Sequence, residues 1–99
     1  MSGTILLSKQ HTFDVRTVDF NLIVSGLRCK VGESEIGKKL LETVDEFGMN
    51  MICVDEFDAN ELKVFGDFLR EFGEHQRTEN KGLSEFIEMV CAQIDIDGR

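Results

Sequence analysis

Between Asp55 and Gly73 the apolar residues Leu62, Phe65, Leu69 and Phe72 recur at offsets of three, seven and ten, the repeat of one helix face. Phe68 and Val64 widen the stripe, while Lys63, Asp67 and Arg70 fall opposite it. Asp58 suits the N-cap, where its carboxylate would accept from the free N–H of Asn60 or Glu61, so the regular helix is expected to start near Ala59. Gly73 stands where a left-handed C′ residue would end it. Four of the eight Phe residues lie in this segment, which makes it the expected centre of the core.

Upstream, Thr4–Ser8 reads as a short strand or an ordered N-terminal arm. From Phe13 the pattern alternates through Phe13, Val15, Val18, Phe20, Leu22 and Val24, with a parity switch near Arg16–Thr17 that suggests a bulge or turn. Ser25-Gly26 breaks the run and Leu27–Val31 alternates again, so an antiparallel hairpin is predicted here. Gly32–Gly48 reads as a helix with Ser34 as N-cap, an inner face of Ile36, Leu40, Val44 and Phe47, and a Glu35–Lys39 pair. Met49–Val54 suits a central strand. Glu74–Gly82 is a polar loop, and Ser84 then caps a last helix in which Leu83, Ile87, Val90 and Ile94 align. The end, Asp95–Arg99, frays or adds a few extended residues. The pattern therefore predicts an α+β domain spanning residues 1–99: an N-terminal antiparallel hairpin plus a central strand, packed against about three helices.

Ninety-nine residues suffice to bury roughly 65% of the unfolded chain's surface without disulfides. No apolar run approaches the roughly 18 residues needed to cross a bilayer, and the start lacks the basic and long apolar regions of a signal peptide. A cytoplasmic protein is expected. Cys29, Cys53 and Cys91 are too dispersed for a disulfide framework or a zinc site and read as reduced, mostly buried thiols.

Charge narrows the function. Residues 1–32 hold four basic and two acidic groups, whereas residues 33–99 hold seven basic and seventeen acidic ones, so the net of −8 comes entirely from the second part. Such a surface repels nucleic acid, and a basic protein is its natural partner.

Two motifs compete with that reading. Gly32–Lys38 fits G-x-x-x-x-G-K, follows a predicted strand and opens a predicted helix, and Met51–Glu56 resembles the acidic-ended strand that holds Mg²⁺ in nucleotide-binding folds. Against it, Lys39 stands where a Ser or Thr hydroxyl is needed, and Glu33 and Glu35 would repel phosphate. The calcium-loop start at Asp58-Ala59-Asn60 fails, because Lys63 takes the glycine position and Leu69 the twelfth. His11 and His75 lie in polar surroundings far apart and suggest no triad. No catalytic residue, metal site or cofactor is predicted, and the protein is read as no enzyme.

From Glu42 to Glu61 there are seven acids and no base. Clustered like charge disfavours folding, so it is either a face kept for solubility or a docking surface. The candidate partner-binding residues are Asp45, Glu46, Asp55, Glu56, Phe57, Asp58 and Glu61, with the acids steering a basic partner. Phe57 serves either as the hydrophobic staple of the following helix or as the exposed anchor of that surface. On size, acidity and the Glu42–Glu61 stretch, the chain resembles the bacterial immunity proteins that neutralise basic nuclease toxins, including those of contact-dependent inhibition systems. The resemblance implies an inhibitor that covers a toxin's active site or an adjoining surface; the paired tyrosines of the colicin-DNase immunity proteins are absent, since the chain has no Tyr. The alternatives are a general interaction module or phage accessory protein, acting as a homodimer or a DNA mimic, and nucleotide binding through Gly32–Lys38.

Overall fold

Gly3, Ile5 and Leu7 are buried in alternation with half-buried Thr4, Leu6 and Ser8, and this two-residue period makes Ser2–Ser8 the first strand, β1. A computed structural model describes residues 2–97 of the chain. A tight turn at Lys9-Gln10 leads into β2, His11–Arg16, which pairs antiparallel with β1 and sets Ile5 opposite Phe13 and Gly3 opposite Val15. Two helices follow, α1 at Thr17–Val31 and α2 at Glu35–Asp45, before β3 at Met51–Cys53. Strand β3 joins the sheet parallel to β1, with Ile5 opposite Ile52. The parallel pairing is locked by Thr4 N–H to the Asn50 carbonyl at 3.0 Å and Val54 N–H to the Leu6 carbonyl at 2.9 Å. Sheet order is β2-β1-β3.

The α+β class and the N-terminal antiparallel hairpin are as the sequence predicts, but the hairpin lies earlier in the chain. Its strands are β1 and β2, whereas the expected second half, from Val18 to Val31, is helix α1. Phe20, Ile23, Val24 and Leu27 are buried at helical offsets, while Val18 and Leu22 are exposed. The run of alternating apolar residues from 18 to 24 thus spans both faces of a helix. Its start carries no polar cap, since Arg16 occupies the N-cap without a side-chain cap bond. Instead Arg16 Nε and Nη2 each approach Asp19 Oδ2 at 3.1 Å, and Asp19 is only 5% exposed. Met49–Val54, expected as the central strand, supplies the edge strand β3; β1 is central.

Ser34 caps α2 as expected, accepting from Gly37 N at 3.0 Å while its hydroxyl donates to the Val31 carbonyl at 2.7 Å. Leu40 and Leu41 form the buried face, Ile36 and Val44 are half-buried, and Phe47 lies beyond the last helical residue and points to solvent.

The chain divides into two compact units between Glu56 and Phe57. The second is a helical hairpin of α3, Ala59–Gln76, and α4, Lys81–Ile96, so the described residues form four helices where about three were expected. In α3 the expected stripe of Leu62, Phe65, Phe68 and Leu69 is buried, with Phe72 half-buried and stacked on Phe68 at a ring separation of 5.6 Å. Gly73 does not end the helix. It is buried within α3, and its carbonyl accepts from Ser84 Oγ at 3.2 Å. Ser84 is therefore not the cap of α4: Asn80 takes that place, its side-chain oxygen accepting from Leu83 N at 3.1 Å. The linking turn shrinks to Arg77–Asn80, because the polar residues on both sides of it are the outer turns of amphipathic helices. Leu83, Ile87, Val90, Cys91 and Ile94 form the buried side of α4, and Arg70 of α3 pairs with Asp95. The helix runs to Ile96; of the frayed end expected over Asp95–Arg99, residues 98 and 99 lie outside the described residues.

Candidate partner-binding surface

The seven acids between Glu42 and Glu61 begin on the last turns of α2, where a helix end already carries partial negative charge. The fold relieves this locally. Arg28, near the end of α1, makes a two-pronged contact with Asp45: Nη1 donates to Oδ2 at 3.0 Å, and Nη2 donates to Oδ1. That hydrogen-bonded pairing holds the Asp45 carboxyl below its ordinary pKa and raises the Arg28 guanidinium above its own. Asp45 and Glu46 line one cleft together with Glu42, Arg28, Lys38 and Leu41. Both flanks of this cleft belong to the first unit.

The later acids divide by role. Asp55 is half-buried and Glu56 exposed in the turn that follows β3. Asp58 and Glu61 form a capping box on α3: Glu61 N donates to Asp58 Oδ1 at 2.8 Å, and Asp58 N donates to Glu61 Oε1 at 3.3 Å. Their carboxylates are tied to backbone donors. Phe57 is 7% exposed, directly before the N-cap and five residues before buried Leu62, the spacing of a hydrophobic staple. Of the two roles open to Phe57, that of exposed anchor is excluded by its burial.

The exposed aromatic is Phe47, at 67%, followed by Met49 at 48%. Phe47, expected on the inner face of a helix running to Gly48, lies past the actual helix end at Asp45 and its Glu46 C-cap. Two residues beyond the last helical one, it no longer follows the helical period. Gly48 adopts φ +64°, a left-handed conformation natural to glycine, and the turn is closed by Met49 N–H to the Thr43 carbonyl at 3.1 Å.

Nucleotide binding through Gly32–Lys38 loses its structural context. The segment before it is the end of α1, not a strand, and Ser34 and Gly37 are engaged in the α2 cap. A phosphate cradle requires a strand-to-helix turn with free N–H groups. Among the described residues no group of three or more His, Cys, Asp or Glu is placed to hold a metal ion, and no helix is long and apolar enough to cross a membrane. His11 shares a 3.1 Å hydrogen bond with Ser8 in the hairpin, and His75 is exposed near the end of α3. The thiols differ in setting: Cys29 is exposed, Cys53 half-buried and Cys91 buried.

No protein-family model matches the chain, and no curated protein matches it. A solved structure shares its fold. One chain of the complex described as "CdiA-CT toxin from Burkholderia pseudomallei E479 in complex with cognate CdiI immunity protein" aligns over 97% of this chain and 96% of its own, with a TM-score of 0.83 and 19% sequence identity. The likeness at that identity is one of fold.

Proposed function

We propose that this protein is the inhibitory member of a toxin–immunity pair, a cytoplasmic, non-enzymatic binding protein that neutralises a basic, nuclease-type toxin domain. The observation that carries the reading is the fold, shared over 97% of the chain with one chain of a toxin–immunity complex. Charge favours the inhibitory side of such a pair. A domain that cleaves nucleic acid must approach a polyanion, which a net charge of −8 opposes. An inhibitor of that domain gains from the same charge, because opposite potentials steer encounter and favour the right partner.

Within the acidic stretch, the residues free of capping duty and not buried are Glu42, Asp45, Glu46, Asp55 and Glu56, and these are the ones proposed to face the partner. Asp58, Glu61 and Phe57 are proposed to act by fixing the start of α3. The test is co-expression with the product of the adjacent coding sequence. The expected outcome is an equimolar complex that survives gel filtration at physiological salt, in cells that tolerate a toxin otherwise lethal to them. If this chain alone arrests growth and the neighbour relieves the arrest, the roles are reversed and the proposal fails.

A further inference from the structure

Among the described residues Phe47 is the one phenylalanine that the fold leaves exposed; the other seven are buried or half-buried. Met49 stands two residues on, across Gly48. Single exposed apolar residues are ordinary, but two large ones in one turn are a different matter when the turn is rigid. This one is held by Glu46 N–H to the Glu42 carbonyl at 2.8 Å, Met49 N–H to the Thr43 carbonyl at 3.1 Å, and the left-handed Gly48. Presented in this way, an aromatic ring and a thioether need little ordering on binding. Phe and Met are residues enriched in the apolar centres of interfaces.

The helix end that leads into the turn is charged. Glu42, Asp45 and Glu46 share a cleft with Arg28 and Lys38, and Arg28 is taken up by Asp45. Glu42 and Glu46 remain as exposed carboxylates one helical turn apart at the end of α2, and Glu46 directly precedes Phe47. Two occupants fit an apolar turn: a partner protein or a second copy of this chain. A symmetric contact between two copies would set the same carboxylates against each other, in a chain already net −10 beyond residue 32. A basic partner has the complementary charge.

Resting on the function proposed above, we infer that the α2–β3 turn is the anchor of the inhibitory interface. Phe47 and Met49 enter an apolar pocket on the basic toxin domain, and Glu42 and Glu46 meet the basic rim of that pocket. Anchors of this kind dominate an interface through the dissociation rate, whereas rim charges act on the encounter rate.

The experiment measures binding kinetics of the purified chain against the product of the adjacent coding sequence. Phe47→Ala with Met49→Ala should raise Kd by about thirtyfold or more, chiefly in the dissociation rate, with an unchanged melting temperature. The matched control is Met89→Ala with Ile96→Ala, a pair on α4 that is 50% and 74% exposed, and it should leave Kd within about threefold. Glu42→Lys with Glu46→Lys should slow association and flatten its salt dependence. Wild-type affinity in the turn variant, or equal weakening by the control, overturns the anchor while the inhibitor reading stands. Absence of binding by the wild type overturns the inhibitor reading, and the anchor with it. A wild-type dimer in sedimentation that the turn variant abolishes assigns the turn to a second copy and also overturns the inference.

Discussion

Gly37 shows how far a local rule can be reversed by packing. In an open helix, Gly→Ala stabilises by about 0.5–1 kcal/mol, since alanine has the higher helix propensity. At position 37 an added Cβ would overlap the Val31 carbonyl, oxygen and carbon alike, and sit 3.1 Å from Gly32 N. The clash is with backbone, so no side chain can swing aside. Relief requires moving the end of α1 away from the first turn of α2. That motion breaks the two bonds that Val31 O accepts from Ser34, at 3.0 Å from N–H and 2.7 Å from Oγ–H. Two such bonds contribute about 1–3 kcal/mol together, and overpacking strain adds about 1–3 kcal/mol. Subtracting the propensity gain leaves Gly37→Ala destabilised by about 3 kcal/mol. Gly82, in the first turn of α4, is the control: its added Cβ would meet nothing nearer than Asn80 Oδ1 at 3.9 Å, so Gly82→Ala should be neutral or stabilising. Urea unfolding followed by circular dichroism reads both. With a slope of about 1–3 kcal/mol per molar, the Gly37→Ala midpoint should fall by roughly 1–3 M. A midpoint that rises, as in an open helix, would refute the close approach of α1 to α2.

Further outcomes follow from burial and pairing. Phe65, fully buried in α3, should lose about 3–5 kcal/mol of stability on conversion to alanine, whereas Phe47→Ala should change stability by less than about 0.5 kcal/mol; equal losses in urea melts would contradict the placement of both rings. Cys29 is exposed, while burial raises the Cys91 thiol above its ordinary pKa, so a thiol-specific reagent at mild alkaline pH should label Cys29 first and reach Cys91 only on unfolding. Peptide mapping that finds Cys91 modified early in the folded protein would refute this. Asp45 has a folded-state pKa depressed by Arg28, so the pair's small contribution is present above the ordinary Asp value of 3.8 and is lost as pH falls through the lowered one. The stability gap between wild type and Asp45→Asn should therefore be constant near neutrality and close in acid, and a gap that widens on acidification would reverse the assignment.

The parts of the fold legible in the sequence are those where local chemistry and tertiary burial agree. The Asp58 cap, the α3 stripe and the Ser34 cap are polar–apolar patterns that the structure reproduces residue by residue. Helix α1 was illegible for a physical reason: it starts without a polar cap, holds Ser25 and Gly26 inside, and exposes Val18 and Leu22 on its outer face. Its apolar residues then alternate as a strand's would. Gly73 and Ser84 were misread because a glycine at a close helix contact and a serine bonding across a hairpin look, in one dimension, like a stop and a cap. The candidate site shows the same division. Acidity was visible in composition, but which carboxylates are occupied depends on Arg28, seventeen residues from Asp45, and on the Asp58–Glu61 box. The helical period puts Phe47 on an inner face and leaves Phe57 open between staple and anchor, since each lies beside acids at a helix end; in the structure Phe57 is buried before the Asp58 cap, and Phe47 is exposed past the end of α2.

If this chain inhibits a basic nuclease-type toxin, as proposed, a titration of nuclease activity reads the inhibition itself. The product of the adjacent coding sequence would be assayed on RNA and DNA while purified protein is added in steps. Activity should fall in proportion to added protein and reach zero at one equivalent, with association slowed by salt as charge steering requires. Undiminished nuclease activity at several equivalents, or cleavage of nucleic acid by this chain itself, would contradict it.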